Sequence, residues 1–359
     1  MSIADTNGIV QQQIGVLDVT GRWNPEPGYL DTASYGLPPL AAAGAVQAAL
    51  ADWTAGRTSW HEWDRSVAGS RAAFARMIGV PVTDVAVGST VSEQFGLVAA
   101  ALPDGSRVLV PDGEFTSNLF PWLAHADRGI VVTSAPLARL AEAVDAATTL
   151  VAFSAVHSAT GEVAPLPDIV SAARHHGALV AVDGTQALGW LPIDTSGIDA
   201  LAVHAYKWLM SPRGSSFLMV RPELAERMRP LAAGWYAGDD VHASYYGPPL
   251  RLAHDSRRFD VSPAWFSWVG TQPALELIER IGIPAIHAHN LALAGRLREG
   301  LGLEPGNSAI VSADIPDAEA RLSRAGIRAS VRAGRVRLAC HIYTTERDVD
   351  LALTALAGS

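Results

Sequence analysis

The sequence predicts an α/β protein in which helices cover both faces of a mainly parallel β-sheet, followed by a smaller C-terminal α+β domain. Seven short, nearly all-apolar runs are separated by helix-like patterns, which is typical of strands buried on both faces of a parallel sheet. The chain has 359 residues, more than a single core usually holds, so we expect a second, smaller domain.

The composition excludes several classes of protein. Apolar residues make up 49% of the chain and charged residues 18%, as in a compact globular protein. The net charge is -9 and the only basic cluster is Arg257-Arg258, so neither nucleic acid nor an anionic membrane is an expected partner. The single cysteine, Cys340, excludes an intramolecular disulfide and a multi-cysteine metal site. No signal peptide or long apolar span is visible, and we predict a soluble, cytoplasmic protein.

The chain divides into three predicted regions. Residues 1–28 form an N-terminal arm with one short helix, residues 29–255 the large domain, and residues 256–359 the small domain with its connecting helix. Helices are predicted at 40–53, 71–79, 91–102 and 166–176, and strands at 85–87, 108–111, 129–133, 150–154, 179–182, 200–204 and 215–220. A helix at 272–299 leads to strands at 309–313 and 335–341 and helices at 317–325 and from 345. Ligand sites in such sheets lie at the carboxyl ends of the strands.

One stretch before the sheet is dense in aromatic and basic residues. It runs through residues 53–65 and is predicted to be a loop that either lines a substrate entrance or packs against the core or an interface. Its members are Trp53, Arg57, Trp60, His61, Trp63 and Arg65.

Lys207 is the only lysine among 27 basic residues, the others being arginine. A lysine ammonium can lose its proton and become a nucleophilic amine, whereas a guanidinium stays protonated. Schiff-base chemistry with a carbonyl therefore requires lysine. The predicted strand at 200–204 places Lys207 near its carboxyl end, where a ligand site is expected.

Two further patterns occur at the ends of predicted strands. Ser89 and Thr90 lie between a strand and a helix, where unpaired amides bind anions, although Ser and Thr are also common helix caps. Asp183 ends an apolar strand, where a carboxylate requires a cation, a metal or a protonated ring nitrogen. An anion-binding turn, a strand-end acid and a strand-end lysine are together the groups that pyridoxal phosphate requires.

With these motifs the chain resembles the class V aminotransferase family of fold-type I pyridoxal phosphate enzymes. That family includes cysteine desulfurases, kynureninases, isopenicillin N epimerase and the ergothioneine-pathway carbon-sulfur lyases. The resemblance implies that Lys207, in His204-Ala-Tyr-Lys-Trp-Leu, forms the aldimine with the cofactor. It also implies that Asp183 pairs with the pyridine nitrogen and that Gln186 lies near the ring hydroxyl.

The resemblance assigns the remaining site residues as well. Ser89 and Thr90 match the phosphate turn, and Phe115 matches the aromatic residue that stacks on the cofactor. Tyr206, next to Lys207, is expected at the cofactor. In Arg258-Phe-Asp-Val-Ser-Pro263, the position of Ser262 reaches the phosphate of the partner subunit, which implies a homodimer. Arg337 matches the arginine that binds the substrate carboxylate.

The resemblance implies an α-amino acid substrate and an α-carbanion, after which several reactions are open. Desulfurases need a mobile cysteine in the loop before the Arg337 strand, but here that loop is the short 330–334 segment, and Cys340 falls inside the strand. A persulfide-forming desulfurase is therefore disfavoured. We expect β-elimination of the carbon-sulfur lyase type. Transamination, epimerisation and kynureninase-like cleavage remain alternatives, as does a catalytically inactive relative. The roles of His157, Ser158 and His204 are left open.

Overall fold

Seven strands form the central sheet in the computed structural model, which describes residues 21–357. The strand order is β1-β7-β6-β5-β4-β2-β3. Only β7 runs antiparallel to its neighbours, so the predicted mainly parallel sheet is confirmed. The strands are β1 (Val85–Gly88), β2 (Arg107–Pro111), β3 (Val131–Ala135), β4 (Leu150–Ser154), β5 (Leu179–Asp183), β6 (Ala200–His204) and β7 (Ser216–Val220).

Helices cover both faces of this sheet because alternate side chains of its inner strands are apolar on both sides. Val151, Phe153 and Val182 face one core, whereas Ala152 and Ala181 face the other. The helices of this part of the chain are α1 (Leu40–Thr54), α2 (Trp60–Ile78), α3 (Val91–Ala101), α4 (Thr116–Leu123), α5 (Leu166–His176), α6 (Pro222–Ala225), α7 (Trp265–Ile281) and α8 (Ile283–Gly300).

A second, three-stranded antiparallel sheet lies in the small domain, in the order β8-β10-β9. Its elements are β8 (Ile310–Ala313), α9 (Ala318–Arg324), β9 (Ser330–Arg332), β10 (Arg335–Ala339) and α10 (Glu346–Ala357). Leu30 packs into the core of this domain, and bridges join Tyr29 to Arg328 and Asp31 to Ala339. The start of the predicted large domain therefore contacts the small one, and the boundaries between regions stay predictions.

Three local expectations were wrong. The aromatic stretch at 53–65 is not a single loop, because α2 begins at Trp60 and presents a buried apolar face over the following turns. The helix expected at 272–299 is two helices, because Gly282 has a φ of 86° and Pro284 opens the next helix. The 330–334 segment forms a tight β-hairpin rather than a loop. The short helix expected in the arm falls largely outside the described residues.

The sheet topology brings the predicted site residues to one edge. Because β7 lies between β1 and β6 and opposes both, β1 is parallel to the other strands. The carboxyl ends of β1, β2, β4, β5 and β6 therefore meet at the edge where β7 begins. None of the helices between residues 21 and 357 has the length and apolar character needed to span a bilayer.

Candidate active site

Lys207 lies just beyond the end of β6 and is 8% exposed. Its Nζ atom lies 5.6 Å from the ring centroids of both Phe115 and Tyr206. Burial lowers the pKa of Lys207 to about 8, although the carboxylate of Asp183 acts in the opposite direction. About a tenth of an amine with this pKa is neutral at pH 7, which is far more than for an ordinary lysine.

The backbone around Lys207 is held tightly. Gly36 donates from its amide to the Tyr206 carbonyl at 2.9 Å, and a Cβ at Gly36 would come within 1.8 Å of the Lys207 carbonyl oxygen. On the other side, His341 of the small domain bonds through Nε2 to the carbonyl of Trp208 at 3.0 Å. The loop that carries Lys207 is therefore fixed by segments distant in sequence.

Asp183, the last residue of β5, is 5% exposed. Its Oδ1 accepts a hydrogen bond from the amide of Thr185 at 2.8 Å. Burial raises the pKa of Asp183, while the bonds from Thr185 and the charge of Lys207 act to lower it. The carboxylate is thus a buried negative charge with few partners in the chain, and a nearby cationic group stabilises it.

Gln186 is buried beside Asp183 and already has two partners. Its Nε2 donates to the Ala33 carbonyl at 2.9 Å, and its Oε1 accepts from Nε1 of Trp208 at 2.8 Å. Because Trp208 follows Lys207, Gln186 also helps to fix the Lys207 loop.

The turn between β1 and α3 forms a capping box. The amides of Ser89 and Thr90 donate to the Glu93 carboxylate at 3.0 and 3.4 Å, and Oγ1 of Thr90 accepts from the Glu93 amide. Ser89 therefore directs its amide toward Glu93. Thr90, Val91 and Ser92 line the cavity, and the amides of Val91 and Ser92 belong to the first turn, where no helical partner exists.

Phe115 immediately precedes α4, and its side chain is partly open to solvent. The buried carboxylate of Glu114 accepts from the Phe115 amide at 2.6 Å and from the amide and hydroxyl of Ser154 at 2.7 and 2.6 Å. Burial raises the pKa of Glu114. Glu114 joins the end of β4 to the segment that presents Phe115, and no pattern in the sequence distinguishes it from other acidic residues.

His204, the last residue of β6, lines the cavity and is 9% exposed. Its Nε2 atom is buried and has no hydrogen-bond partner among residues 21–357. Burial, with the charges of Arg213 and Lys207, lowers the pKa of His204 to about 4, so the ring is neutral near pH 7. Its ring meets that of Tyr206 edge to face, with centroids 4.4 Å apart.

Arg337 on β10 is almost completely buried next to the cavity. It donates to the Ser158 carbonyl at 2.6 Å and to the Ser34 hydroxyl at 2.7 Å, and Asp31 lies 3.6 Å away. Burial, followed by the charge of Arg332, lowers the pKa of Arg337 to about 10, so the guanidinium remains charged. It does not line the cavity itself, although Ser158 does.

A cavity of about 190 Å³ joins these groups. Six predicted site residues line it: Thr90, Phe115, Asp183, Gln186, Tyr206 and Lys207. Ser89, Ser262 and Arg337 do not, and Ser262 is exposed on the surface of the chain. Among the lining residues that the sequence did not single out are Ser92, Ser117, Ser154, Thr185 and Arg213. The catalytic and binding roles of the predicted residues stay predictions.

A comparison with protein families identifies the class of enzyme. The sequence model described as aminotransferase class-V matches residues 29–323. The chain belongs to the class V aminotransferase family and is therefore a pyridoxal phosphate-dependent enzyme.

Individual relatives carry different activities in their names. An uncharacterized aminotransferase of Bacillus subtilis, YcbU, is 28% identical over 84% of this chain and 86% of its own. Isopenicillin N epimerase of Streptomyces clavuligerus is 28% identical over 80% of this chain and 84% of its own. A probable cysteine desulfurase of Methanothermobacter thermautotrophicus is 26% identical over 75% of this chain and 71% of its own.

The fold is also found in a solved structure. A cystine C-S lyase in complex with cysteine persulfide superposes with a TM-score of 0.83 at 24% identity, covering 92% of this chain and 97% of the other. At this identity the likeness shows the fold alone.

The cavity residues fit pyridoxal phosphate. His204, the first residues of α3, Asp183 and Lys207 all line one cavity. Among the described residues the Nε2 atom of His204 has no hydrogen-bond partner, and the amine of Lys207 is partly deprotonated. These groups offer donors for an anion, a negative charge for a ring cation and a nucleophile for an aldehyde.

Proposed function

We propose that this enzyme cleaves the carbon-sulfur bond of an S-substituted α-amino acid by β-elimination. The bonds from Cα to hydrogen and from Cβ to sulfur break, and sulfur leaves with the bonding electrons. Water then releases a keto acid and ammonia. The observation that carries the proposal is the position of Lys207, whose amine faces the cavity close to Asp183 with a pKa of about 8.

The residues of the site have distinct roles in this proposal. When bound, the cofactor supplies an electron sink that makes the α-proton acidic. Lys207 Nζ would hold the cofactor and would take the α-proton of the bound substrate. Asp183 would keep a proton on the pyridine nitrogen, and Gln186 would bind at the ring hydroxyl. Phe115, whose ring centroid lies 5.6 Å from Lys207 Nζ, would stack on the cofactor ring.

Three further residues bind the phosphate of the cofactor and the carboxylate of the substrate in this proposal. Thr90 and the first amides of α3 would bind the cofactor phosphate, and Ser89, whose amide donates to Glu93, would join them in the holoenzyme. The Arg337 guanidinium binds the substrate carboxylate through the donors that Ser34, Ser158 and Ser330 leave free.

The position of the only cysteine supports elimination over desulfuration. Cys340 follows β10 in the core of the small domain, and burial raises the pKa of its thiol. The hairpin of β9 and β10 carries no cysteine near the cavity. Exchanging Cys340→Ser should leave turnover within about twofold, because a buried thiol takes no part in the reaction. Loss of turnover in a well-folded variant would restore the desulfurase alternative.

Transamination is the second candidate, and the name of the Bacillus subtilis relative favours it. It releases no ammonia and requires an acceptor keto acid, whereas elimination releases keto acid and ammonia in equal amounts. Epimerisation would instead exchange the α-hydrogen of recovered substrate with solvent deuterium and invert its configuration. Kynureninase-like cleavage would release alanine.

The test is a product analysis of the purified holoenzyme with S-alkyl and S-aryl cysteines and their sulfoxides. We expect equimolar keto acid, ammonia and sulfur product, with alanine as the matched control that lacks a β-leaving group. Equal consumption of alanine, or keto acid formed only when a second keto acid is added, would contradict elimination.

We also propose that the enzyme acts as a homodimer in the cytoplasm. Asp260 is buried, whereas Ser262, two residues later, is exposed. The backbone therefore runs from the core at Asp260 to the surface at Ser262. In the proposed dimer it reaches the phosphate in the partner subunit. A Ser262→Ala protein that dimerises normally and binds the cofactor as tightly as the wild type would remove this role.

A further inference from the structure

Arg213 belongs to the loop between β6 and β7 and lines the active-site cavity. Its guanidinium carbon lies 5.0 Å from the ring centroid of Tyr206, the same ring that Lys207 approaches. The Ser267 hydroxyl donates to the Arg213 carbonyl at 2.7 Å, which fixes the backbone at this point. The guanidinium is thus held at the cavity by a stacking contact and an anchored backbone.

Arg213 has no carboxylate partner within salt-bridge distance in residues 21–357. Among the described residues that line the cavity, Asp183 carries the one carboxylate, which is buried next to the Thr185 amide and acts on Lys207. The positive charge of Arg213 is felt at the cavity, since it contributes to the lowered pKa of both His204 and Lys207.

The other groups of the cavity that could bind an anion are mainly neutral donors. Thr90 and the amides of Val91 and Ser92 are uncharged, and His204 is neutral near pH 7. Lys207 has a pKa of about 8 and is consumed as a nucleophile. Of the side chains that line the cavity in the described part of the chain, Arg213 is the one guanidinium, a permanently cationic group with donors suited to a phosphate. A phosphate with nearly two negative charges is a matched ligand for it.

We propose that Arg213 binds the phosphate of pyridoxal phosphate within its own subunit. It supplies the positive charge that the Ser89-Thr90 turn lacks, in addition to the donors at the start of α3. The inference rests on the cofactor and its phosphate end, and it is independent of the reaction that follows proton removal. It also gives Arg213 a function that the loop position alone does not suggest.

The experiment compares two cofactors that differ only in the phosphate. Apoenzyme of the wild type and of Arg213→Met is titrated with pyridoxal phosphate and with pyridoxal, and binding is followed by absorbance. We expect Arg213→Met to weaken pyridoxal phosphate binding by about 10- to 100-fold and to leave pyridoxal binding unchanged. Arg213→Lys should recover part of the loss, and inorganic phosphate should compete more weakly in Arg213→Met.

Arg229→Met is the matched control. Both Arg213 and Arg229 are exposed, but Arg229 follows α6, beyond the end of β7 that is far from the active-site cavity. Equal weakening of both cofactors would overturn the proposal and assign Arg213 to packing on Tyr206. Unchanged cofactor binding with a raised KM would overturn it in favour of the substrate carboxylate. Unchanged behaviour in every assay would overturn it outright. No turnover is needed for the binding comparison, so failure of the carbon-sulfur lyase proposal would be recognised separately.

Discussion

The two edges of the central sheet both carry a cavity, but only one has the chemistry of an active site. The cavity at the carboxyl ends of the parallel strands measures about 190 Å³. The cavity at the other edge, lined by Asp84 and Val220, measures about 500 Å³. The larger cavity also has more charged residues. Its cations have partners, since Arg257 pairs with Asp255 at 3.3 Å and Arg258 donates to the Ala225 carbonyl at 2.7 Å.

This difference shows that neither the volume of a cavity nor its number of charged residues identifies the candidate active site. At the active-site edge the ionisable groups are buried and incompletely paired, so burial shifts the pKa of Lys207 and of Asp183 toward the neutral forms. At the opposite edge, solvent and ion pairs stabilise the charges. Four experiments test this contrast.

Replacement of the lysine has the largest expected effect. Lys207→Ala removes the amine that is proposed to anchor the cofactor and to take the α-proton, so turnover should fall by more than about 1000-fold. Borohydride should no longer fix the cofactor to the protein, as checked by mass spectrometry. A retained covalent adduct would mean that another group is the anchor.

The two edges are compared directly by exchanging one aspartate at each. Asp183→Asn should lower kcat by about 100-fold or more, because the amide cannot hold a ring cation. Asp84→Asn, at the larger cavity, should leave kcat within about twofold. Equal losses in both variants, measured at saturating substrate, would show that the opposite edge contributes to catalysis.

Arg337→Lys tests the arginine that borders the active-site cavity. Lysine keeps a charge near Asp31 but loses the planar fork, so KM for the amino acid should rise by about 10-fold while cofactor binding is retained. Alanine is a poorer choice, because it would leave Asp31 without its cation. An unchanged KM would limit Arg337 to its bonds with Ser34 and Ser158.

The smallest effect is a pH dependence of cofactor capture by the apoenzyme. The pKa of Lys207 is lowered to about 8, so its amine becomes nucleophilic as the pH rises through that value. The rate of reconstitution should therefore increase about fivefold between pH 7 and 8 and level off above pH 9. Stopped-flow absorbance checks this, and a rate that continues to rise toward pH 10.5 would indicate an ordinary, solvated lysine.

The sequence was sufficient for the elements with strong periodicity and for the residues with distinctive chemistry. Seven apolar runs became the seven strands, and the unique Lys207 and the strand-end Asp183 meet in one cavity. The antiparallel direction of β7 and the division between α7 and α8 at Gly282 could not be predicted from the sequence in the same way. Direction depends on pairing with distant strands, and a helical pattern can continue across a glycine that takes a positive φ.

The site residues that could not be predicted from the sequence are those whose position at the site depends on tertiary contacts. Glu114, Ser154 and Arg213 have no local pattern that separates them from other polar residues. Glu114 is defined by its bonds to Ser154, and Arg213 by its position over Tyr206. Ser262, in contrast, is assigned a role from the sequence, but that role requires a second chain and cannot be examined in one subunit.

The hydrogen bond from His341 to Trp208 gives the small domain a mechanical link to the catalytic loop. Burial lowers the pKa of His341 to about 3, and Asn290 approaches its Nδ1 at 3.3 Å, so the neutral ring donates from Nε2. The His341 ring therefore stays neutral, and its hydrogen bond to the Trp208 carbonyl is kept, at any pH where the enzyme works. A rotation of the small domain would pull directly on the residue after Lys207 and so change the direction from which its amine meets a substrate.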